Sequence, residues 1–312
     1  SGLALATDLA DADTRPRVVA LLYVMLLVGM LVSALVFGLL LEDFSQVRLI
    51  QVIQGAALLT MLLNLVALWK QEAPDLERTA PERARPGFAG AWRDYRRSGR
   101  AGRLLLAVAL GTAGFGMQDV LLEPYGAQVL SLSVSATTTL TAILAGATLL
   151  SLYFASRRLT AGLDPCRLSA YGAMIGIVAF VLVLFSALLE SALVFRLGTG
   201  LIGFGAGYFA VGTLTSAMDS ARRESAGLAL GAWGAVQATA AGLGIAGGAA
   251  LRDLITRVAD SGPLAGYLAV YQLEILLLFA TLAVIGPLVR SARASDDSQA
   301  GAKFGLSELP GS

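Results

Sequence analysis

Five polar or ionisable side chains lie in or beside long apolar stretches, where they could bind a ligand, an ion or one another. They are Gln118, Asp119, Glu123, Tyr125 and Arg196. An ionisable group inside a membrane-spanning segment costs roughly 2.5–3.5 kcal/mol to insert, so each one needs a partner or a function. Asp119 and Glu123 are four residues apart and share one face of a regular helix. We therefore predict an ion pair between Arg196 and either Asp119 or Glu123.

These residues have more than one interpretation. They could pair and stiffen a helix bundle, bind a ligand, or couple transport to an ion, and Glu123 could lie in water at the membrane interface. Catalysis finds no support, because the sequence contains no histidine and no metal-ligand cluster or phosphate loop. The net charge of +1 gives no argument for nucleic acid binding. The predicted protein is not an enzyme.

The elements that must position these side chains are membrane-spanning helices. The chain is 56% hydrophobic and 14% charged, with a mean hydropathy of +0.72, whereas soluble domains are about one quarter charged. A span needs about 20 apolar residues, and its backbone must bond within the segment. The predicted eight spans are Val18–Leu41, Ile50–Trp69, Leu104–Leu122, Leu132–Ala155, Leu168–Leu189, Ala192–Ala217, Ala226–Leu251 and Tyr267–Val289.

The basic residues predict the orientation of these spans. With eight crossings, 19 of the 23 Lys and Arg residues fall on one side of the membrane and three on the other, while Arg196 lies inside a span. Connectors rich in Lys and Arg stay in the cytoplasm. Both ends of the chain are therefore predicted to be cytoplasmic.

A weak internal repeat suggests that eight spans are part of twelve. Ala4–Asp43 matches Leu214–Asp253 at an offset of 210 residues, in hydropathy and in the positions of the polar connectors, although few residues are identical. Parallel repeats of this kind relate the two six-helix halves of some transporters. The predicted domains are the remainder of an N-terminal bundle (1–69), a cytoplasmic central loop (70–103), a six-helix bundle (104–290) and a cytoplasmic tail (291–312).

A layout of two six-helix halves with a long basic central loop resembles the major facilitator superfamily. Four segments are similar to one branch, the PucC/LhaA family of phototrophic bacteria: Gly2–Ala10, Gly114–Gly126 (GFGMQDVLLEPYG), Gly203–Gly207 and Gly227–Gly242. By this resemblance, most of the first four helices precede the chain. The superfamily's cytoplasmic Asp-Arg signature is degraded at Ser156–Pro165, which makes ordinary transport less expected.

The resemblance implies a function. Members of the family are associated with assembly of light-harvesting antenna complexes and with bacteriochlorophyll handling. It therefore implies an assembly factor in the intracytoplasmic photosynthetic part of the bacterial inner membrane. Its expected partners are antenna polypeptides and the reaction centre-antenna complex, with bacteriochlorophyll as the pigment delivered. The alternative is a small-molecule transporter of the same superfamily that uses the central cavity.

The resemblance also assigns places to polar residues. In the superfamily plan, the spans Ile50–Trp69 and Tyr267–Val289 are peripheral, so their polar side chains could hydrogen-bond a partner helix or reach toward the membrane surface. These partner-facing candidates are Gln51, Gln54, Tyr271, Gln272 and Glu274. Without histidine, a magnesium chlorin would need another axial ligand. The available candidates are Gln54, Gln118, Asp119 and Gln237.

Overall fold

The structure is a computed structural model that describes four continuous parts of the chain and several isolated residues. The continuous parts are 45–69, 100–220, 226–258 and 262–303. The isolated residues are 17, 18, 21, 24, 25, 28, 29, 32, 33, 36, 40, 90, 92 and 93. The helices are α1 (Gln46–Leu68), α2 (Arg100–Gly116), α3 (Leu122–Val129), α4 (Val134–Thr160), α5 (Pro165–Leu188), α6 (Ala192–Ser220), α7 (Ala226–Val258) and α8 (Pro263–Lys303), with a 3-10 turn at Met117–Val120.

These helices confirm the prediction of an all-α polytopic membrane protein, and the described residues contain no strand. Six of the helices are long and apolar enough to cross a membrane: α1 and α4 to α8. The segment made of α2, the 3-10 turn and α3 is bent by 46°, and it counts as a seventh span when it is taken as one unit. Most of the predicted span Val18–Leu41 lies outside the described residues.

Polar side chains begin several of these helices. Ser45 caps α1 by accepting a hydrogen bond from the Arg48 amide at 3.1 Å. Asp164 caps α5 by accepting from the Arg167 amide at 3.1 Å, and Pro165 occupies the first helical position, where a missing N–H costs nothing. These caps satisfy amide groups in the first turns of α1 and α5.

The described helices fall into two compact units, one holding α1 and the other α2 to α8. In the second unit α6 packs on α4 and α5, while α8 packs on α2 and α5 and α7 packs mainly on α2. Large aromatic side chains fill its core, among them Phe115, Tyr125, Phe180, Phe195, Phe209, Tyr267 and Tyr271. Since lipid is as apolar as this core, close packing rather than burial from water stabilises the bundle.

Glycines permit the closest helix contacts. Gly203 and Gly207 on α6 face Leu144, Thr148 and Ser151 of α4. On α7, Gly244 leaves room for Ala113 and Gly248 leaves room for Met117, both from the bent span. The glycine pairs of α6 and α7, each spaced four residues apart, therefore serve close helix packing.

Candidate functional site

The break in the bent span positions the first two candidate residues. Pro124 has no N–H and could not donate to the carbonyl of Val120 in a continuous helix. The chain instead forms the 3-10 turn, in which the Leu121 amide donates to the Gln118 carbonyl at 2.9 Å, and α3 starts anew at Leu122. The sequence predicted a straight span ending at Leu122, whereas the structure bends there and continues to Val129.

Gln118 and Asp119 border a small cavity in the second unit. Gln118 is 2% exposed, and its Nε2 donates to Asp119 Oδ1 at 2.6 Å and to the Phe115 carbonyl at 3.4 Å. The cavity has a volume of about 200 Å³, and its lining comes from α2, α4, α6, α7 and the 3-10 turn. Its polar side chains are Thr112, Gln118, Asp119, Thr213 and Gln237.

The predicted ion pair of Arg196 is wrong. No ion pair joins Arg196 to Asp119 or Glu123, all three of which are described residues; instead Glu123 accepts a hydrogen bond from Thr141 Oγ1 at 2.6 Å. The bend separates the faces that a straight helix would have shared. Arg196 itself is exposed on the outer side of α6, and Leu193 and Leu197 beside it are exposed too.

Tyr125 belongs to the core rather than to the cavity. It is fully buried, and its hydroxyl donates to the Val183 carbonyl at 3.0 Å and lies 3.4 Å from Ser186 Oγ. Its ring lies 5.3 Å from that of Tyr271 and 5.4 Å from that of Tyr267, both edge-on. Of the five predicted ligand or cavity residues, only Gln118 and Asp119 line the cavity.

The partner-facing candidates divide into two groups. Gln51 and Gln54 on α1 and Gln272 on α8 are exposed. Tyr271 and Glu274, however, are 0% exposed, so their predicted place on a partner surface is wrong. They are three residues apart and share the inner face of α8, from which Gln272 points away.

A polar cluster that the sequence did not predict joins three helices at the far end of the bent span. Arg252 Nη2 donates to Gln128 Oε1 at 2.9 Å and to the Tyr267 hydroxyl at 3.0 Å. The Tyr267 hydroxyl donates to Gln128 Oε1 at 3.0 Å. Gln128 is more than 100 residues away from both Arg252 and Tyr267 in the sequence, so no local pattern signals its contacts.

Comparisons with known proteins place this helical chain in one family. The family model described as "PUCC protein" matches residues 1–293. Protein PucC of Rhodovulum sulfidophilum is 56% identical over 81% of this chain and 57% of its own length. Protein PucC of Cereibacter sphaeroides is 46% identical over 94% of this chain and 65% of its own length.

A more distant relative bears the name of an enzyme subunit. The bacteriochlorophyll synthase 44.5 kDa chain of Rhodobacter capsulatus is 27% identical over 81% of this chain and 60% of its own length. The chain thus spans between 57% and 65% of the length of these three relatives. On the match of the family model to nearly its whole length, the chain belongs to the PUCC protein family.

Proposed function

We propose that this protein is a membrane assembly factor for bacterial light-harvesting antenna complexes and that it binds antenna polypeptides laterally on its outer helices. The observation that carries this proposal is its membership of the PUCC family over residues 1–293, since the resemblance described above associates that family with antenna assembly. The proposed location is the intracytoplasmic photosynthetic membrane, with both ends of the chain in the cytoplasm. The reaction centre-antenna complex is the larger partner that this role implies.

The outer surface of α8 suggests how an antenna helix could be recognised. Its exposed residues from the middle of the span onward form one stripe with helical spacing: Gln272, Leu276, Phe279, Ala283 and Pro287. Gln272 is the polar member of this otherwise apolar stripe. A lipid-facing amide that finds a partner on another helix contributes about 0.6–2 kcal/mol. We therefore assign Gln272 to antenna binding, with Gln51 and Gln54 of α1 as further candidates.

The cavity of the second unit does not fit a whole bacteriochlorophyll. Gln118, Asp119 and Gln237, three possible ligands of a magnesium chlorin, line the same cavity. Its volume of about 200 Å³ is below the roughly 300–1,000 Å³ of pockets for drug-sized molecules. Pigment handling in this proposal therefore belongs to the lipid-facing surface or to the complete protein, and no step is assigned to pigment inside this cavity.

The alternative function is transport of a small molecule through the cavity. The observation in its favour is that Asp119 is exposed and lines the cavity. A charge at such a place is a common feature of substrate or ion pathways. Transport and antenna assembly make opposite predictions for the isolated protein.

The test is purification of the full-length protein from the membranes of a phototrophic bacterium. We expect antenna polypeptides to co-purify, with bacteriochlorophyll absorbance if pigment is carried. Replacing Gln272 with Leu should lower the amount of co-purified antenna about threefold or more, because an interhelical hydrogen bond is lost. Leu264→Met, an apolar change on the same helix but outside this stripe, should leave the amount unchanged.

Two results would overturn the proposal. One is a colourless preparation without partners that nevertheless accumulates a small molecule in reconstituted vesicles, which would favour transport. The other is equal loss of antenna polypeptides in both variants, which would remove Gln272 from the binding surface and indicate a general effect on the helix.

A further inference from the structure

Glu274 is a fully buried carboxylate in the second unit. It lies in the span of α8, is 0% exposed, and neither of its carboxylate oxygens has a hydrogen-bond partner among the described residues. Helix α8 packs against the 3-10 turn that holds Gln118 and Asp119, and Tyr271 lies about one turn before Glu274 on the same face of α8. An unpaired charge or unsatisfied polar group at such depth costs several kcal/mol.

The atoms around Glu274 that lack partners share one chemical property. They are Gln118 Oε1, the Tyr271 hydroxyl and both oxygens of Glu274, and all are oxygens. The amide nitrogen of Gln118 is already engaged by Asp119 and Phe115. The Tyr271 hydroxyl has its own proton to donate to one oxygen of Glu274, which leaves the other carboxylate oxygen, Gln118 Oε1 and the charge of the carboxylate without a partner. A cation bound between these oxygens would balance that charge.

Among the described residues, no basic side chain pairs with Glu274. Arg196 is exposed on the outer side of α6, and Arg252 is hydrogen-bonded to Gln128, Tyr267 and Asp253. The titratable groups beside Glu274 are Asp119 from the 3-10 turn and Tyr271 from α8 itself. They are acids or phenols.

We propose that Gln118, Asp119, Tyr271 and Glu274 form a binding site for a monovalent cation, Na⁺, at the break of the bent span. Hard cations take oxygen ligands, and broken spans commonly supply such sites. The single uncompensated carboxylate in the interior matches one positive charge. Asp119 is exposed, and it lines the cavity together with the buried Gln118, so an ion can reach these two residues from the cavity. This inference does not depend on the proposed function.

The test is the melting temperature of the full-length protein in detergent, measured at constant pH and ionic strength with Na⁺ replaced stepwise by choline or K⁺. A ligand that binds only the folded state raises the melting temperature as its concentration increases. We expect a rise of about 3 °C or more for each tenfold increase in Na⁺ above its dissociation constant. Choline should have no such effect.

Variants locate the ion. Glu274→Gln keeps the shape but removes the charge and should abolish the response to Na⁺. Tyr271→Phe removes one ligand and should shift the rise in melting temperature to higher Na⁺ concentrations. This variant tests the site independently if Glu274→Gln does not fold. Glu123→Gln is the matched control, since Glu123 is exposed and bound to Thr141, and it should respond like the unmodified protein.

Three outcomes would overturn the proposal. The first is a melting temperature independent of Na⁺ in the unmodified protein. The second is an undiminished response in Glu274→Gln. The third is a melting temperature that changes with pH alone, falling as pH rises, which would mean that the folded state holds a proton at Glu274 that the unfolded chain releases.

Discussion

At the scale of single residues, Arg252 links three helices through side-chain hydrogen bonds, although the sequence did not single it out. Its guanidinium contacts Gln128 on α3, Tyr267 on α8 and its neighbour Asp253 on α7. The planar fork of arginine can satisfy these acceptors at once, whereas an ammonium group is a point charge on a flexible stem. Arg252 therefore holds three helices at one end of the bundle.

We predict that Arg252→Lys lowers the free energy of unfolding by about 1–3 kcal/mol, because Gln128 and Tyr267 lose their shared donor. The measurement is unfolding of the purified protein in mixed detergent micelles. The matched control is Arg257→Lys: Arg257 is exposed on the same helix, and its replacement should change stability by less than about 0.5 kcal/mol. Equal losses in both variants would contradict a linking role for Arg252.

The individual site residues were only partly predictable. The types and spacing of Gln118 and Asp119 indicated a polar site, and the structure places both at the cavity. The resemblance indicated only that α8 is peripheral, which is why Tyr271 and Glu274 were expected to face a partner. A peripheral helix still has an inner face that packs on the bundle. Polar residues of α8 lie on both its inner and its outer face, so the sequence alone did not show which of them are buried.

At the scale of helices, α5 and α6 approach each other closely through main-chain atoms. A Cβ atom added to Gly172 would lie 2.6 Å from the carbonyl oxygen of Gly205 and 2.6 Å from the amide nitrogen of Phe209. Both are main-chain atoms, so neither can move aside as a side chain could. The contact therefore depends on glycine at this position.

We predict that Gly172→Ala lowers the free energy of unfolding by about 1–3 kcal/mol by forcing α5 and α6 apart. Gly146→Ala in α4 is the matched control, because nothing lies within 4 Å of a Cβ added there. That control should be neutral or slightly stabilising, since alanine favours a helix over glycine by up to about 1 kcal/mol. Thermal unfolding of both variants in one detergent gives the comparison, and a neutral Gly172→Ala would contradict the packing.

The helices themselves were largely predictable, because a run of about 20 apolar residues has few other structures in lipid. Their ends were less so. The prediction ended the seventh span at Leu251 because Arg252 and Asp253 resemble a loop, but α7 continues to Val258. The two charges stay in the helix since they bind each other, at 2.8 Å, and Arg252 binds neighbouring helices. Such partners are visible only in three dimensions.

At the scale of the whole molecule, the alternation of short connectors makes orientation testable. Residues 161–164 join α4 to α5, and residues 189–191 join α5 to α6. These two connectors lie on opposite sides of the membrane, because α5 crosses it once. The charge distribution predicts that the first is cytoplasmic and the second external.

We predict opposite labelling of cysteines placed in these connectors. Cys166 is the single cysteine of the chain, so Cys166→Ser provides a background in which Leu189→Cys and Ala161→Cys can be compared. A membrane-impermeant maleimide should label Leu189→Cys in intact spheroplasts and Ala161→Cys only after lysis. The reverse pattern would contradict cytoplasmic ends.

Because of the 46° bend between α2 and α3, the end of α3 lies away from the axis of α2. When a straight helix rotates about its own axis, its end stays in place. The eight residues of α3 form a helix about 12 Å long. Because of the bend, the far end of α3, its tip, lies about 9 Å from the axis of α2. A rotation of α2 by about 20° would sweep that tip sideways by about 3 Å. Gln128 lies near the tip and is hydrogen-bonded to Arg252 and Tyr267. A small twist beside the cavity would thereby become a sideways push on α7 and α8.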